Sequence, residues 1–419
     1  MNTTPAPIIG GAIARAAAAL GAGELREETL LRHIAPLFSR VLKRSEIYLA
    51  NHSLGRPLDM LESDVREALD AWYTDMDGAW DVWMREMATF RNNVACLIGL
   101  GRADAVVPKT SAGQGLRAVL NAIPAERPRV ISTRAEFDSI DFILKTYSKR
   151  GRAHVDWIAP RERAGSAPLM ETDDILHAIS AGSPDVVVIS HIFYATGQRI
   201  DRLEEIIAAS HAKNAIVVLD AFHSAGVIPV DFERIGADFA LGGSYKYTRG
   251  GAGAAWLAIH PRHLENPRLR TLDTGWFAKR DTFGFERPEE PLLATGGDAW
   301  LEATPAPLPL FQARSGLQLV LAIGVERLRR FSLEQLAFLE SELISAGLGV
   351  RRGGPTPEQS GAFLLVPHDD AHRASAALKA AGLNVDARLG HLRFCPDIVT
   401  TSDDIRRAAS ITARALMNR

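Results

Sequence analysis

Cysteine is almost missing from this chain: among 419 residues only Cys96 and Cys395 occur. A disulfide framework and a four-thiolate zinc site are thereby excluded, no metal site is expected, and two thiols fit a reducing, cytoplasmic compartment. An excess of one charge is missing too, since 48 Lys+Arg face 50 Asp+Glu for a formal net charge of −2. No positive field advertises nucleic acid or an anionic membrane as a partner. No apolar run reaches the roughly 18 uncharged residues that span a bilayer. Residues 8–20 are Ala/Gly-rich but interrupted by Arg15, with no basic residue ahead and no cleavage-like end, so they do not read as a signal peptide. A fixed-period repeat, a Walker loop and a Gly-x-Gly-x-x-Gly fingerprint are all lacking, which disfavours solenoids and nucleotide binding.

What is present, 47% hydrophobic and 23% charged residues, describes a soluble globular chain with room for one large domain and a smaller second one. Between about residues 105 and 260, short β-branched runs alternate with amphipathic stretches of helical length, the pattern of βαβ units around a parallel sheet. Seven strands are expected, near 105–107, 129–132, 154–158, 185–190, 215–220, 239–242 and 254–259. Val186-Val187-Val188-Ile189 and Ile216-Val217-Val218-Leu219 lack polar alternation, so both faces should be buried. A Pro-rich passage at 303–309 precedes one long helical pattern over about 310–346. A small α+β unit follows, with strands near 362–366, 384–387 and 392–394 and helices near 371–381 and 403–417. Residues 1–100 read as mostly helical apart from 48–55, and those helices are expected to pack on the small domain or a partner subunit. The expected division is 1–55 (N-terminal helical segment), 56–310 (large α/β domain) and 311–419 (connecting helix and small C-terminal α+β domain).

Four segments carry chemistry, and each falls at the carboxyl end of an expected strand, where open α/β sheets bind ligands. The strongest is Gly242-Gly243-Ser244-Tyr245-Lys246-Tyr247-Thr248-Arg249-Gly250-Gly251-Ala252-Gly253. A single lysine between aromatics, ahead of a glycine-rich turn, suits a Schiff-base amine of lowered pKa, although a surface loop lysine has the same local sequence. Asp220 closes a buried run, and a buried carboxylate needs a partner that stays cationic, such as a protonated pyridine nitrogen. A helix N-cap is its other reading, and His223 follows three residues on. Lys109-Thr110-Ser111-Ala112-Gly113-Gln114-Gly115 places small and hydroxyl residues at a helix start, an anion site. Glu136-Phe137-Asp138-Ser139 offers a flat ring that is either a stacking platform or a core aromatic.

Together these segments resemble fold type I pyridoxal-phosphate enzymes, in the group of class V aminotransferases and cysteine desulfurases, with kynureninases nearest. The resemblance runs through Tyr48-Leu49-Ala50-Asn51-His52-Ser53-Leu54-Gly55, Ser190-His191-Ile192-Phe193-Tyr194-Ala195-Thr196-Gly197, Asp220-Ala221-Phe222-His223-Ser224-Ala225-Gly226, Ser244-Tyr245-Lys246-Tyr247, Gly275-Trp276-Phe277, Thr304-Pro305 and Leu392-Arg393-Phe394. It implies a mainly parallel seven-stranded sheet flanked by helices, a pyridoxal 5'-phosphate cofactor and a homodimer with shared sites. Lys246 would hold the cofactor and move protons, Asp220 would pair with the ring nitrogen, and Phe137 would stack. Ser111, Ala112 and Tyr245 would contact the phosphate, with Trp276 and Thr304 reaching over from a second subunit. Thr196 would also contact the cofactor, His223 and Asp141 are weaker carry-overs, and Asp138 and Asp141 compete for one role near the cofactor. Arg393 would clamp a substrate carboxylate, unless it is a surface arginine on an edge strand, with Asn51 and Ser53 nearby. Kynureninase-like hydrolysis, cleaving Cβ–Cγ of a β-acyl amino acid to alanine and an aryl acid, is the expected activity. Transamination, epimerisation and C–S cleavage are the alternatives. Residues 70–83 hold three tryptophans and no histidine, and Thr248-Arg249 stands where Leu-Asn is usual, so the substrate stays open.

Overall fold

The computed structural model describes residues 5–162, 167–266 and 268–417. Residues 1–4 and 418–419, the outer ends of the first and third expected units, lie outside the described residues. The strands are β1 (Ile47–Tyr48), β2 (Val106–Lys109), β3 (Arg129–Thr133), β4 (His154–Ile158), β5 (Val186–Ser190), β6 (Ile216–Asp220), β7 (Phe239–Gly243), β8 (Ala255–Ile259), β9 (Leu364–Pro367), β10 (Leu383–Asn384), β11 (Asp386–Arg388) and β12 (His391–Phe394). β2 to β8 form one seven-stranded sheet in the order β2-β8-β7-β6-β5-β3-β4, and β8 alone runs against its neighbours. All five residues of β5 and of β7 are buried, as strands covered on both faces must be. Register sets Ser190 of β5 directly beside Asp220 of β6, so two polar side chains stand together where the central strands end.

The expected long helix over 310–346 is instead two helices, Pro307–Ile323 and Val325–Ser345, bent by 85° at Gly324. Gly324 has φ +92° and ψ 130°, a conformation side chains other than glycine's resist, so the helical pattern continues in sequence but turns in space. Among the described residues no single helix is long and apolar enough to cross a membrane.

The N-terminal helices pack mainly on the large core: Ile13, Leu30, Phe90 and Val94 join the core of the large sheet, and helices Leu61–Thr74 and Ala79–Ile98 pack on Pro307–Ile323, while Glu27 accepts from the Ser402 N–H at 2.9 Å and from its hydroxyl at 2.5 Å on the C-terminal unit. The extended stretch around β1 crosses over, where Ile47 and Leu49 join a second core with Leu336, Leu343, Leu364 and Phe394. The first core also continues past residue 310 to Leu328 and Phe331, so the change of core falls inside helix Val325–Ser345. A third cluster, including Ile192, Tyr247, Phe363 and Cys395, fills the joint between the two.

Candidate active site

The polar strand ends and the loops beyond them line a cleft whose wall includes Ser111, Ala112, Phe137, Ser190, Asp220, His223, Tyr245 and Lys246. Each arrives on a different loop of the same sheet edge. Beyond β2, Ser111 caps helix Ala112–Leu120, its hydroxyl oxygen accepting from the Gln114 N–H at 3.2 Å. First-turn amides have no acceptor inside their own helix, so this end offers donors to an anion. Gly115 lets the helix sit this close, since a Cβ there would lie 2.6 Å from Leu241 Cδ2. Lys109 takes no part: it is buried on Glu302 at 2.7 Å and on the Trp300 carbonyl.

Lys246 sits in the loop after β7. Arg249, Gly251 and Gly253 all have positive φ, which glycine tolerates and which folds the loop back into β8. Its Nζ lies 2.5 Å from His223 Nε2 and 5.4 to 5.6 Å from the ring centres of Phe137, Phe222 and Tyr245. Burial pushes the Lys246 amine down to about 7 against the pull of Asp220, with Arg393 adding to the fall. Asp220 is raised by burial, a rise opposed by the Phe222 N–H, which donates to Oδ1 at 2.8 Å, and by Lys246. His223 is held well below its ordinary value by burial and by Lys246, so it is neutral, and its Nδ1 is buried without a partner among the described residues. A buried anion, an amine poised near neutrality, an orphaned ring nitrogen and a helix N-terminus around one cleft are the donor set that a phosphorylated cationic heterocycle fits.

Other expected residues stand elsewhere. Asp141 lies on the outer side of helix Asp138–Lys149 in an ion pair with Lys145 at 2.5 Å, and Asp138 accepts from the Tyr194 hydroxyl at 3.4 Å, so Ser139 and Ile140 line the cleft instead. Helical spacing explains this: Ile140 and Leu144 face the core, which turns residue 141 outward. Thr196 is spent inside a turn, its hydroxyl accepting from the Gln198 N–H. Trp276 and Thr304 bond each other at 3.3 Å and do not line this chain's cleft.

Arg393 is no surface residue. It is 2% exposed on β12, the middle strand of the small three-stranded sheet, and donates from Nε to Asp386 Oδ1 at 2.7 Å, from Nη2 to Asp386 Oδ2 and from Nη1 to the Tyr194 carbonyl. Ser53 joins the same carboxylate at 2.6 Å and His52 at 3.0 Å, so Ser53 belongs with Arg393. Asn51 does not: it accepts from Arg249 at 3.4 Å beside Asp397, at the joint between domains.

His52, Glu136 and Asp386 are what residue-by-residue reading passed over. Asp386 had a signal, because Gly390 closes a two-residue hairpin turn that sets Asp386 opposite Arg393. Glu136 had none, since nothing local shows that residue 136 turns beneath β5.

The class-V aminotransferase profile matches residues 76–392. The kynureninase of Geobacillus thermodenitrificans is 27% identical over 401 residues, covering 91% of this chain and 90% of that one. That of Deinococcus radiodurans is 28% identical over 341 residues, covering 78% and 76%. Among solved structures, a C-DES mutant with glycine covalently linked to its PLP cofactor has a TM-score of 0.78 at 18% identity, covering 90% of this chain and 98% of that one. The cysteine desulfurase of Thermococcus onnurineus has a TM-score of 0.75 at 17% identity, covering 89% and 95%. Likeness at that identity speaks for the fold, which is type I. The cofactor of this chain is pyridoxal 5'-phosphate, and the chain belongs to the class-V aminotransferase family.

Proposed function

We propose that the protein is a kynureninase-like hydrolase that cleaves the Cβ–Cγ bond of kynurenine or a related β-acyl amino acid, releasing alanine and an aryl acid. The observation that carries this reading is similarity to curated kynureninases along 91% of the chain, joined to a cleft that holds Lys246, His223 and Asp220 together. Bound pyridoxal phosphate supplies an electron sink for charge developing on substrate carbon. The chain supplies the rest. Lys246, an amine near neutrality, takes and returns protons, with neutral His223 against it to receive or give a hydrogen bond. Asp220 keeps a ring nitrogen cationic, and Phe137 covers the ring. Ser111, Ala112 and Tyr245 hold the phosphate at the helix start, with Trp276 and Thr304 delivered by a second copy of the chain. Arg393, steadied by Asp386, Ser53 and His52, presents its remaining N–H groups to the substrate carboxylate. Water adds to the γ-carbonyl and the Cβ–Cγ bond breaks: Cγ leaves as the aryl acid with the water's oxygen, and Cβ keeps the electron pair and takes up a proton to become the methyl group of alanine.

The desulfurase neighbours do not redirect this reading. Cys395 is fully buried with its thiol pushed up by burial, Cys96 is raised by burial on helix Ala79–Ile98, and neither lines the cleft. A persulfide-forming cysteine needs the opposite, an accessible thiolate. The test is incubation of the holoenzyme with kynurenine and a panel of amino acids. Alanine together with an aryl acid is the expected product pair; ammonia or a keto acid without alanine would sink the proposal.

A further inference from the structure

Beneath the cleft floor lies a carboxyl that this chemistry leaves unused. Glu136 is 3% exposed, and among the described residues no lysine, arginine or histidine forms an ion pair with it. Its partners are two hydroxyls and an amide. Thr133 Oγ1 donates to Oε1 at 2.8 Å, the Ser190 N–H reaches Oε1 at 3.3 Å, and Ser190 Oγ lies 2.5 Å from Oε2. A carboxylate removed from water without a cation is costly, so the site favours the neutral acid. Burial pushes Glu136 up to about 8, the hydrogen bonds from Ser190 and Thr133 oppose the rise, and the charge of Asp220 adds to it. The other titratable groups nearby are Lys246, His223 and Tyr245 across the cleft and Tyr194 and Asp138 at its rim, while Asp141 is paired outward with Lys145.

Counting donors decides what the proton does. Oε1 already accepts twice, so an acid proton on Oε2 lies along the contact to Ser190 Oγ and is donated there. The serine's own hydrogen is then free for the cleft, whose wall Ser190 forms. Once ionised, Glu136 takes that hydrogen, leaves Ser190 an acceptor only, and adds a second buried negative charge close to Asp220.

We infer that Glu136 is a positioning residue: by keeping its proton it turns the Ser190 hydroxyl into a donor toward the cofactor pocket and adds no second negative charge beside Asp220. This rests on the pyridoxal phosphate site and not on which amino acid is consumed.

Glu136→Gln is a permanent copy of the protonated form, since its amide NH2 donates to Ser190 and its carbonyl accepts from Thr133 and the Ser190 N–H. The dissociation constant of pyridoxal phosphate is measured by fluorescence titration of the full chain, native and variant, roughly 1.5 pH units below and above 8. Titration of Lys246 is common to both proteins and cancels in the ratio of their constants. Equal constants are expected at the lower pH, with the native protein about tenfold weaker than the variant at the higher. A ratio that stays the same at both pH values, at one or displaced from it, overturns the inference. If Glu136→Gln does not fold, Ser190→Ala decides: its affinity should fall less with pH than the native protein's, and an equally steep fall overturns the inference. A native protein that takes up no cofactor at either pH defeats the functional reading instead, which is a separate result.

Discussion

At the scale of the residue, Lys246 is contested by two effects of unequal size. Three aromatic rings at 5.4 to 5.6 Å favour an ammonium, each by about 0.5–2 kcal/mol, but full burial costs more and brings the amine to about 7. Between about 7 and the ordinary lysine range the unfolded chain binds a proton that the folded chain does not, so this group makes stability rise with pH in that window. The rate at which apoprotein captures pyridoxal phosphate should therefore climb through pH 7, as stopped-flow absorbance would show; a climb only near the ordinary lysine range contradicts the assigned environment. Lys246→Ala should lose the yellow band that borohydride fixes to the protein. Asp220→Asn should keep the fold and lose about a hundredfold or more in turnover, because a neutral amide no longer holds the ring nitrogen cationic. Turnover close to native in that variant removes Asp220 from its role.

At the scale of the element, a hairpin and a bend do the positioning. β11 and β12 set Asp386 across from Arg393, and Asp386 occupies the side fork of the guanidinium, so orientation is fixed before any substrate arrives. Lysine has no such fork, and Arg393→Lys should raise KM for an α-amino acid about tenfold with a smaller change in kcat. An unchanged KM assigns the substrate carboxylate to another cation. Gly324 turns helix Pro307–Ile323 against Val325–Ser345, letting one face the large core and the other reach the small one. Gly324→Ala should cost about 1–3 kcal/mol in urea unfolding, and a loss below a few tenths would show that the bend relaxes freely.

For the whole molecule, two cores meet at the cluster of Ile192, Tyr247, Phe363 and Cys395, in which Tyr247 directly follows Lys246. The packing between the two cores thereby reaches the loop that carries Lys246. Gly55 ties in the same place: its N–H donates to the Tyr245 carbonyl at 2.8 Å, and a Cβ on it would lie 2.1 Å from the Lys246 carbonyl oxygen. Trp276 and Thr304 lie outside their own chain's cleft, which leads to a mixing experiment. Heterodimers of Lys246→Ala and Trp276→Ala chains keep one intact site if sites are shared between copies, so an equal mixture of the two weak variants, about half of it heterodimer, should restore up to about a quarter of native activity. Mixtures no more active than the separate variants would place each site within one chain.

The positions of the strands, the double burial of the central ones and the polar segments at their ends were legible in sequence because each depends on local pattern: β-branched runs, a terminal carboxylate, a lysine before glycines. Asp220, Lys246, Phe137 and Ser111 could be read for that reason. Arg393 could be named but not its confinement by Asp386, Ser53 and His52, and Glu136 could not be assigned at all. Burial and partnership are made by segments far apart in the chain, and for ionisable groups those decide charge. Sequence by itself determined the chemistry available to this protein; only the tertiary structure decided which acids are desolvated and which carboxylate holds the Arg393 guanidinium, because both follow from burial and geometry that no single segment contains.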